Sequence, residues 1–286
     1  MNKLLTIVVA GGSGRRMGGE TPKQFLEVGG EPILMRSLRR LSEGVERFLT
    51  TCSPSVDESV DNSKESTSYP HPALPGESPN VNNFVHKIVL VLPEAHRQRW
   101  QELCRKHRFR VPHTVATGGE TRFHSVRNGL AVEPEADLVL VHDGVRPFVD
   151  DRTIAAVIAA AWRYGAAVPA VPVVDSLRRV DPEGDTRTPR SEAVDRSAYR
   201  AVQTPQGFRG EWLRRAYAAP YDERFTDDAS VVERTGTGRI LLTEGTPTNL
   251  KITTPVDLIL AEALLRQPAG NPMPAHNNPN RDKNLK

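Results

Sequence analysis

The chain has 286 residues, with 38 Lys plus Arg against 35 Asp plus Glu, a formal charge of +3, and two cysteines. That balance is too small for bulk attraction to nucleic acid or a membrane surface, and two thiols are too few for a disulfide framework. No apolar run approaches the roughly 20 residues that cross a bilayer, so any positive field useful to a ligand must be local.

Leu4–Val9 predicts a fully buried strand. It starts so close to Met1 that no signal or transit peptide is expected. Neither Cys52 nor Cys104 has metal-ligand spacing, and the expectation is a cytoplasmic protein with reduced thiols. Leu34, Leu38 and Leu41 mark a helix by their i, i+4, i+7 spacing. Residues 52–83 are rich in Ser, Pro, Asn and Asp and predict a disordered insertion, because they cannot bury enough surface to offset their ordering entropy. Lys87–Leu92 predicts the next strand, and Pro93 can start the helix that carries Trp100, Leu103 and Cys104. A strand near Phe109–Val115 and a helix around Thr121–Val132 follow. Asp137–His142 predicts a buried strand, Asp151–Tyr164 an alanine-rich helix, and Ala167–Val173 another strand. Strands alternating with helices indicate an α/β domain, residues 1–266, with a mainly parallel sheet. Such sheets bind ligands outside the carboxyl ends of their strands. Residues 175–208 mix short polar and apolar stretches and predict an extended β-arm that pairs with a second subunit, hence a homodimer. The tail, 267–286, predicts disorder.

The stretch with most chemistry is VVAGGSGRRMGGETPKQFLEVGG, residues 8–30. A strand ending at Ala10 runs into Gly11, Gly12, Ser13 and Gly14. Glycines let the backbone approach a ligand closely, and consecutive amides make an anion-binding nest. Arg15, Arg16 and Lys23 add fixed charge, and Pro22 stiffens the approach to Lys23. The set suits a polyphosphate. It has neither the spacing of a Walker loop nor the strand-end acid of a dinucleotide site, which speaks against a dehydrogenase.

AGGSGRRM followed by PKQFLEVGGEPIL resembles the N-terminal signature of nucleotidyltransferases that act on sugar or polyol phosphates. GGETRFHSVRNGL, VHDGVRPFV, PVVDSLRRV, VDRSAYRAVQTPQGF, FTDDASVVERTG and NLKITTPVDL continue the likeness in order. Together they resemble the 2-C-methyl-D-erythritol 4-phosphate cytidylyltransferase family. The resemblance implies a single Rossmann-like domain that binds CTP and a polyol phosphate, with Mg²⁺ carried mainly by the CTP phosphates and its protein ligands unknown. It implies that Arg16 and Lys23 stabilise the transition state and the leaving pyrophosphate. Ala10, Gly11, Gly12, Gly14, Gly118, Ser125, Asp143 and Gly144 are expected at the nucleotide. Asp143, Arg146, Ser176, Arg196 and Lys251 are expected at the polyol phosphate, with Arg196 reaching the partner subunit's site. Arg15 is the expected bystander. Gly144 and Val145 replace two alanines common in the family, and Ser176 replaces a threonine while keeping its hydroxyl. His142 reads as structural. Asp227 and Asp228 read as a helix cap with an acid in the first turn. A ribitol 5-phosphate cytidylyltransferase is the nearest alternative, and a non-catalytic nucleotide sensor is the alternative of another class.

Overall fold

A computed structural model describes residues 2–11, 21–51, 84–181 and 190–266. The expected insertion and tail, together with Cys52, Gly12, Gly14, Arg15 and Arg16, lie outside the described residues.

In chain order the elements begin with β1 (Asn2–Val9), a 3-10 turn (Lys23–Phe25), the small ribbon β2 (Glu27–Val28) and β3 (Glu31–Pro32), and α1 (Ile33–Thr51). Next come β4 (Phe84–Leu92), a second 3-10 turn (Glu94–His96), α2 (Arg97–Lys106), β5 (Thr114–Thr117), α3 (Arg122–Leu130), β6 (Leu138–Asp143), α4 (Asp151–Tyr164) and β7 (Ala166–Pro172). The hairpin β8 (Arg178–Val180) and β9 (Ser191–Ala193) precedes β10 (Arg200–Val202), β11 (Gln206–Arg209), α5 (Gly210–Tyr217), α6 (Asp228–Arg234), β12 (Leu241–Glu244) and α7 (Pro255–Arg266).

One sheet runs in the order β10-β7-β11-β6-β1-β4-β5, with β12 also paired to β7. β1 lies parallel to both β4 and β6, β5 parallel to β4, and β12 parallel to β7. β10 and β11 run antiparallel to their neighbours. The mainly parallel α/β sheet read from the alternation is therefore present. Successive strand residues alternate between two cores. Leu4, Val8, Leu90, Leu138 and Leu140 pack with Leu34, Leu38 and Leu41 of α1 and Ile154 and Val157 of α4. Leu5, Ile7, Val89, Val139 and Val141 pack with Phe123 and Val126 of α3, Leu213 of α5 and Val231 of α6. Each such side chain contributes about 1.5–3 kcal/mol by leaving water. Covering both faces is why these strands read as continuous apolar runs.

Local chemistry sets the element ends. Asp150 caps α4 by accepting the Thr153 amide at 2.7 Å, and Gly165 ends it at φ 96°, beneath the Trp212 ring. Two expectations need correction. The strand placed at Phe109–Val115 lies at Thr114–Thr117. Residues 109–113 instead wrap Trp100, whose indole Nε1 donates to His113 Nε2 at 3.0 Å while Phe109 meets its ring edge-on. The β-arm of residues 175–208 is shorter than expected. Among the described residues only β8 and β9 form a separate hairpin there, whereas β10 and β11 return to the main sheet and Phe208 is fully buried. Cys104 packs against the first core, as expected of a small apolar residue, and burial pushes its thiol up to about 11. No described helix is long and apolar enough to cross a membrane.

Candidate active site

The carboxyl ends of the parallel strands are stitched together just beyond their last residues. Ala10 donates its amide to Val91 at 3.0 Å, Gly118 to Leu92 at 2.7 Å, and Gly144 to Val9 at 2.9 Å. These bonds bring Ala10, Gly11, Gly118, Asp143 and Gly144 to one edge. Gly11 is exposed there. Gly144 is held by packing: a Cβ would lie 2.8 Å from Leu34 Cδ1 and 3.1 Å from Ala10 Cβ, and its carbonyl accepts from Ser37 Oγ. Val145 is accommodated in a third cluster with Val28, Ile33, Ile252 and Ala261. Ser125 is buried and shapes the turn before α3, accepting the Gly119 amide at 3.1 Å and donating to the Thr121 carbonyl at 3.0 Å.

Asp143 is the electrostatic centre. Lys251 Nζ lies 2.9 Å from its Oδ2, Arg146 Nε 3.5 Å from Oδ2, and Arg122 Nε 3.6 Å from Oδ1. Burial alone would raise this carboxyl's pKa. Arg122, Lys251 and Arg146 outweigh that and hold it well below the usual carboxylate range. The three cations therefore favour the ionised form of Asp143.

Arg122, not singled out from the sequence, is fixed from the other side. Its Nη2 donates to Asp228 Oδ2 at 2.6 Å, and Asp228, fully buried, also accepts from the Tyr217 hydroxyl at 2.6 Å. Burial works against the guanidinium's charge, but Asp228 and Asp143 prevail and raise its pKa above the ordinary arginine value. The signal was a cation in the first turn of a helix after a glycine turn. Asp227 caps α6 as read, in a reciprocal capping box with Ser230.

Behind Asp143, hydrogen bonds decide a histidine tautomer. The Arg146 carbonyl beside His142 Nε2 can only accept, so Nδ1 carries no proton and accepts from the Thr204 hydroxyl 3.1 Å away, while Thr204 Oγ1 accepts the Asp143 amide at 3.1 Å. His142 Nε2 then donates to the Arg146 carbonyl at 3.0 Å. Burial lowers this imidazole's pKa to about 4. His142 is thus neutral, with both nitrogens engaged, and its structural reading fits. The Arg146 guanidinium donates to the Asn249 carbonyl at 2.7 Å, and the Asn249 amide donates to the Thr204 carbonyl at 2.8 Å. Arg146 and Asn249 brace the loop that carries Lys251; neither Thr204 nor Asn249 was expected.

Lys23 is half-buried on the turn after Pro22. Ser176 and Arg196 are exposed on the arm segment, where Arg196 donates to the Val174 carbonyl. Among the described residues, no hydrogen bond or ion pair joins Ser176 or Arg196 to the Asp143 cluster.

A cationic cluster and close-packed main-chain turns at the carboxyl edge of a doubly covered, mainly parallel sheet suit a phosphate-bearing ligand, and the family match makes the class that of the nucleotidyltransferases. Residues 4–62 and 79–267 match the family of 2-C-methyl-D-erythritol 4-phosphate cytidylyltransferases, and the chain belongs to that family. A relative of that name from Porphyromonas gingivalis is 45% identical over 263 residues, covering 92% of this chain and 98% of its own. One from Geobacillus thermodenitrificans is 37% identical, covering 91% of this chain and 95% of its own. The crystal structure of the Thermus thermophilus enzyme of the same name superposes with a TM-score of 0.62 at 31% identity, covering 92% and 98% of the two chains. These relatives favour neither the ribitol phosphate alternative nor the sensor.

Proposed function

We infer that this protein transfers the cytidylyl group of CTP to 2-C-methyl-D-erythritol 4-phosphate. The products are 4-diphosphocytidyl-2-C-methyl-D-erythritol and pyrophosphate, in non-mevalonate isoprenoid biosynthesis. The near-full-length family match carries this reading. A phosphate oxygen of the polyol phosphate forms a bond to the α-phosphorus of CTP. The bond from that phosphorus to the bridging oxygen breaks, and its electron pair leaves with pyrophosphate. The nucleophile is already an anion, so no protein base is needed, which suits a site whose buried histidine is neutral and fully engaged. The protein's task is positioning and charge neutralisation.

In this scheme Arg16 and Lys23 act on the triphosphate. Ala10, Gly11, Gly12, Gly14, Gly118, Ser125 and Gly144 form the nucleotide's surroundings. Ionised Asp143 accepts hydroxyl protons of substrate in hydrogen bonds, and Lys251, Arg196, Arg146 and Ser176 address the polyol phosphate. Magnesium suits the donor set as an ion carried by the nucleotide, with Asp143 meeting its water shell, because the Asp143 oxygens are shared among Lys251, Arg122 and Arg146. When bound, Mg²⁺ neutralises phosphate charge. We also read the protein as a cytoplasmic homodimer. The exposed apolar side chains Val174, Val180, Tyr199 and Val202 along the arm segment and β10 support the dimer.

Purified protein given CTP, Mg²⁺ and either methylerythritol phosphate or ribitol 5-phosphate decides the substrate. Pyrophosphate release and the product's diphosphate signals in phosphorus NMR are expected with methylerythritol phosphate. Turnover with ribitol 5-phosphate alone would overturn the reading.

A further inference from the structure

One side chain ties the end of β1 to the turn that carries Lys23. Gln24 sits in the turn after Pro22 and is only 1% exposed. Its Nε2 donates to the Ala10 carbonyl at 2.9 Å and lies 3.2 Å from His96 Nδ1. A carbonyl oxygen can only accept, so the carboxamide must present its NH₂ to Ala10. The second hydrogen of that NH₂ needs an acceptor, which places the imidazole proton on Nε2 and makes Nδ1 the acceptor. Burial, then the nearby Arg99 charge, lowers the His96 pKa and favours this neutral form.

The surrounding contacts fix the same three segments. His96 meets the Phe25 ring edge-on at 5.6 Å, and the Arg99 guanidinium lies 5.5 Å over that ring. Arg99 also donates to Thr21 Oγ1 at 3.3 Å. The end of β1, the turn carrying Lys23 and the 3-10 turn after β4 therefore close on one carboxamide. Its Oε1 is buried with no hydrogen-bond partner among the described residues. An apolar side chain of the same shape would avoid that unfavourable burial, so packing alone does not account for a glutamine here.

We propose that Gln24 is a positioning residue for cytidylyl transfer. Accepted by His96, it sets the spacing between the strand end at Ala10 and Lys23, so that the end of β1 and the lysine ammonium address one phosphate chain. The inference rests on the reaction assigned above and names residues that the assignment does not use. Displacement of a reacting group by about 1 Å costs on the order of 100-fold in rate, so a loosened clasp acts on kcat.

The test compares wild type, Gln24→Met, His96→Asn and His96→Leu by steady-state kinetics with CTP and methylerythritol phosphate. Methionine keeps the volume of Gln24 and loses both hydrogen bonds; asparagine keeps an acceptor near the Nδ1 position and leucine does not. Gln24→Met is expected to lower kcat roughly 10- to 100-fold while KM for the polyol phosphate stays within about 3-fold. His96→Leu should follow it, and His96→Asn should stay within about 3-fold of wild type. A Gln24→Met enzyme with near-normal kcat, or the two His96 variants behaving alike, overturns the clasp. If Gln24→Met does not fold, the His96 pair carries the test at its half-exposed position. A wild-type protein that fails to turn over overturns the assigned reaction instead, and the clasp's purpose with it.

Discussion

Lys251 Nζ lies 2.9 Å from Asp143 Oδ2, so two groups expected to hold substrate hold each other in the ligand-free chain. The carboxylate is the lysine's counterion. On the proposed assignment, the lysine would exchange one anion for another instead of being desolvated alone. Arg122 and Arg146 lie beside the same carboxylate and would keep it neutralised.

Lys251→Ala removes a charge-assisted hydrogen bond worth about 1.5–3 kcal/mol. The expected result is a loss of roughly 10- to 100-fold in kcat/KM for the polyol phosphate, with KM for CTP within about 3-fold of wild type. Steady-state kinetics with each substrate varied in turn check this. A loss concentrated in CTP would move Lys251 to the other substrate.

Asp228→Asn leaves the Arg122 guanidinium without its nearest carboxylate and the Tyr217 hydroxyl without a charged acceptor. Breaking a buried ion pair from one side costs about 3–5 kcal/mol. Arg122 is partly open to water, so about 3 kcal/mol in urea denaturation is expected, with reduced activity because Arg122 also supports Asp143. Asp227→Asn retains a capping side chain and should cost less than about 1 kcal/mol.

Arg196 is exposed on the arm segment and, among the described residues, has no hydrogen bond or ion pair to its own chain's Asp143 cluster, which suits action on a partner's site. Arg196→Ala should mainly raise KM for the polyol phosphate. Lys23→Ala should lower kcat with little change in affinity. Mixing the two variants at low polyol phosphate tests the arrangement. If Arg196 serves the partner, half the reassociated dimers carry one intact site and activity recovers to about a quarter of wild type. No recovery would place both residues in one chain's site.

Acid should destabilise the fold before it titrates Asp143. His86 and His142 are lowered by burial from 6.5 to about 4. Their depressed folded values mean that the unfolded chain binds more protons between pH 6.5 and 4, so stability is full above pH 6.5 and falls as pH drops through that window. Each histidine should contribute about 2 kcal/mol of loss between pH 7 and pH 5. Denaturation at both pH values checks the sum. His86→Gln, which can keep a bond to Thr6, should show about half the loss; an unchanged loss would remove His86 from the account.

The fold was legible where the information is local. α4 was read with its observed ends because Asp150 supplies the cap and Gly165 a positive φ that stops it. The strands of the parallel sheet were read from runs buried on both faces. The strand misplaced at Phe109–Val115 failed because its apolar residues serve the Trp100 pocket, a tertiary use with no period of its own. The arm was overextended for the same reason: β10 and the exposed hairpin have the same short polar and apolar texture, and only pairing with β7 separates them.

The site divides along the same line. Sequence by itself determined the residue types and their order: a glycine turn after a strand, cations beside it, and Asp143 at a strand end. Those depend on backbone chemistry within a few residues. The tertiary structure alone decided that Asp143 is shared by three cations, that Arg122 is pinned by Asp228 from 106 residues away, and that Thr204, 61 residues from Asp143, bonds both the Asp143 amide and the His142 ring. Charge and hydrogen bonding act through space, over a few ångströms, between groups whose separation along the chain leaves no periodic trace.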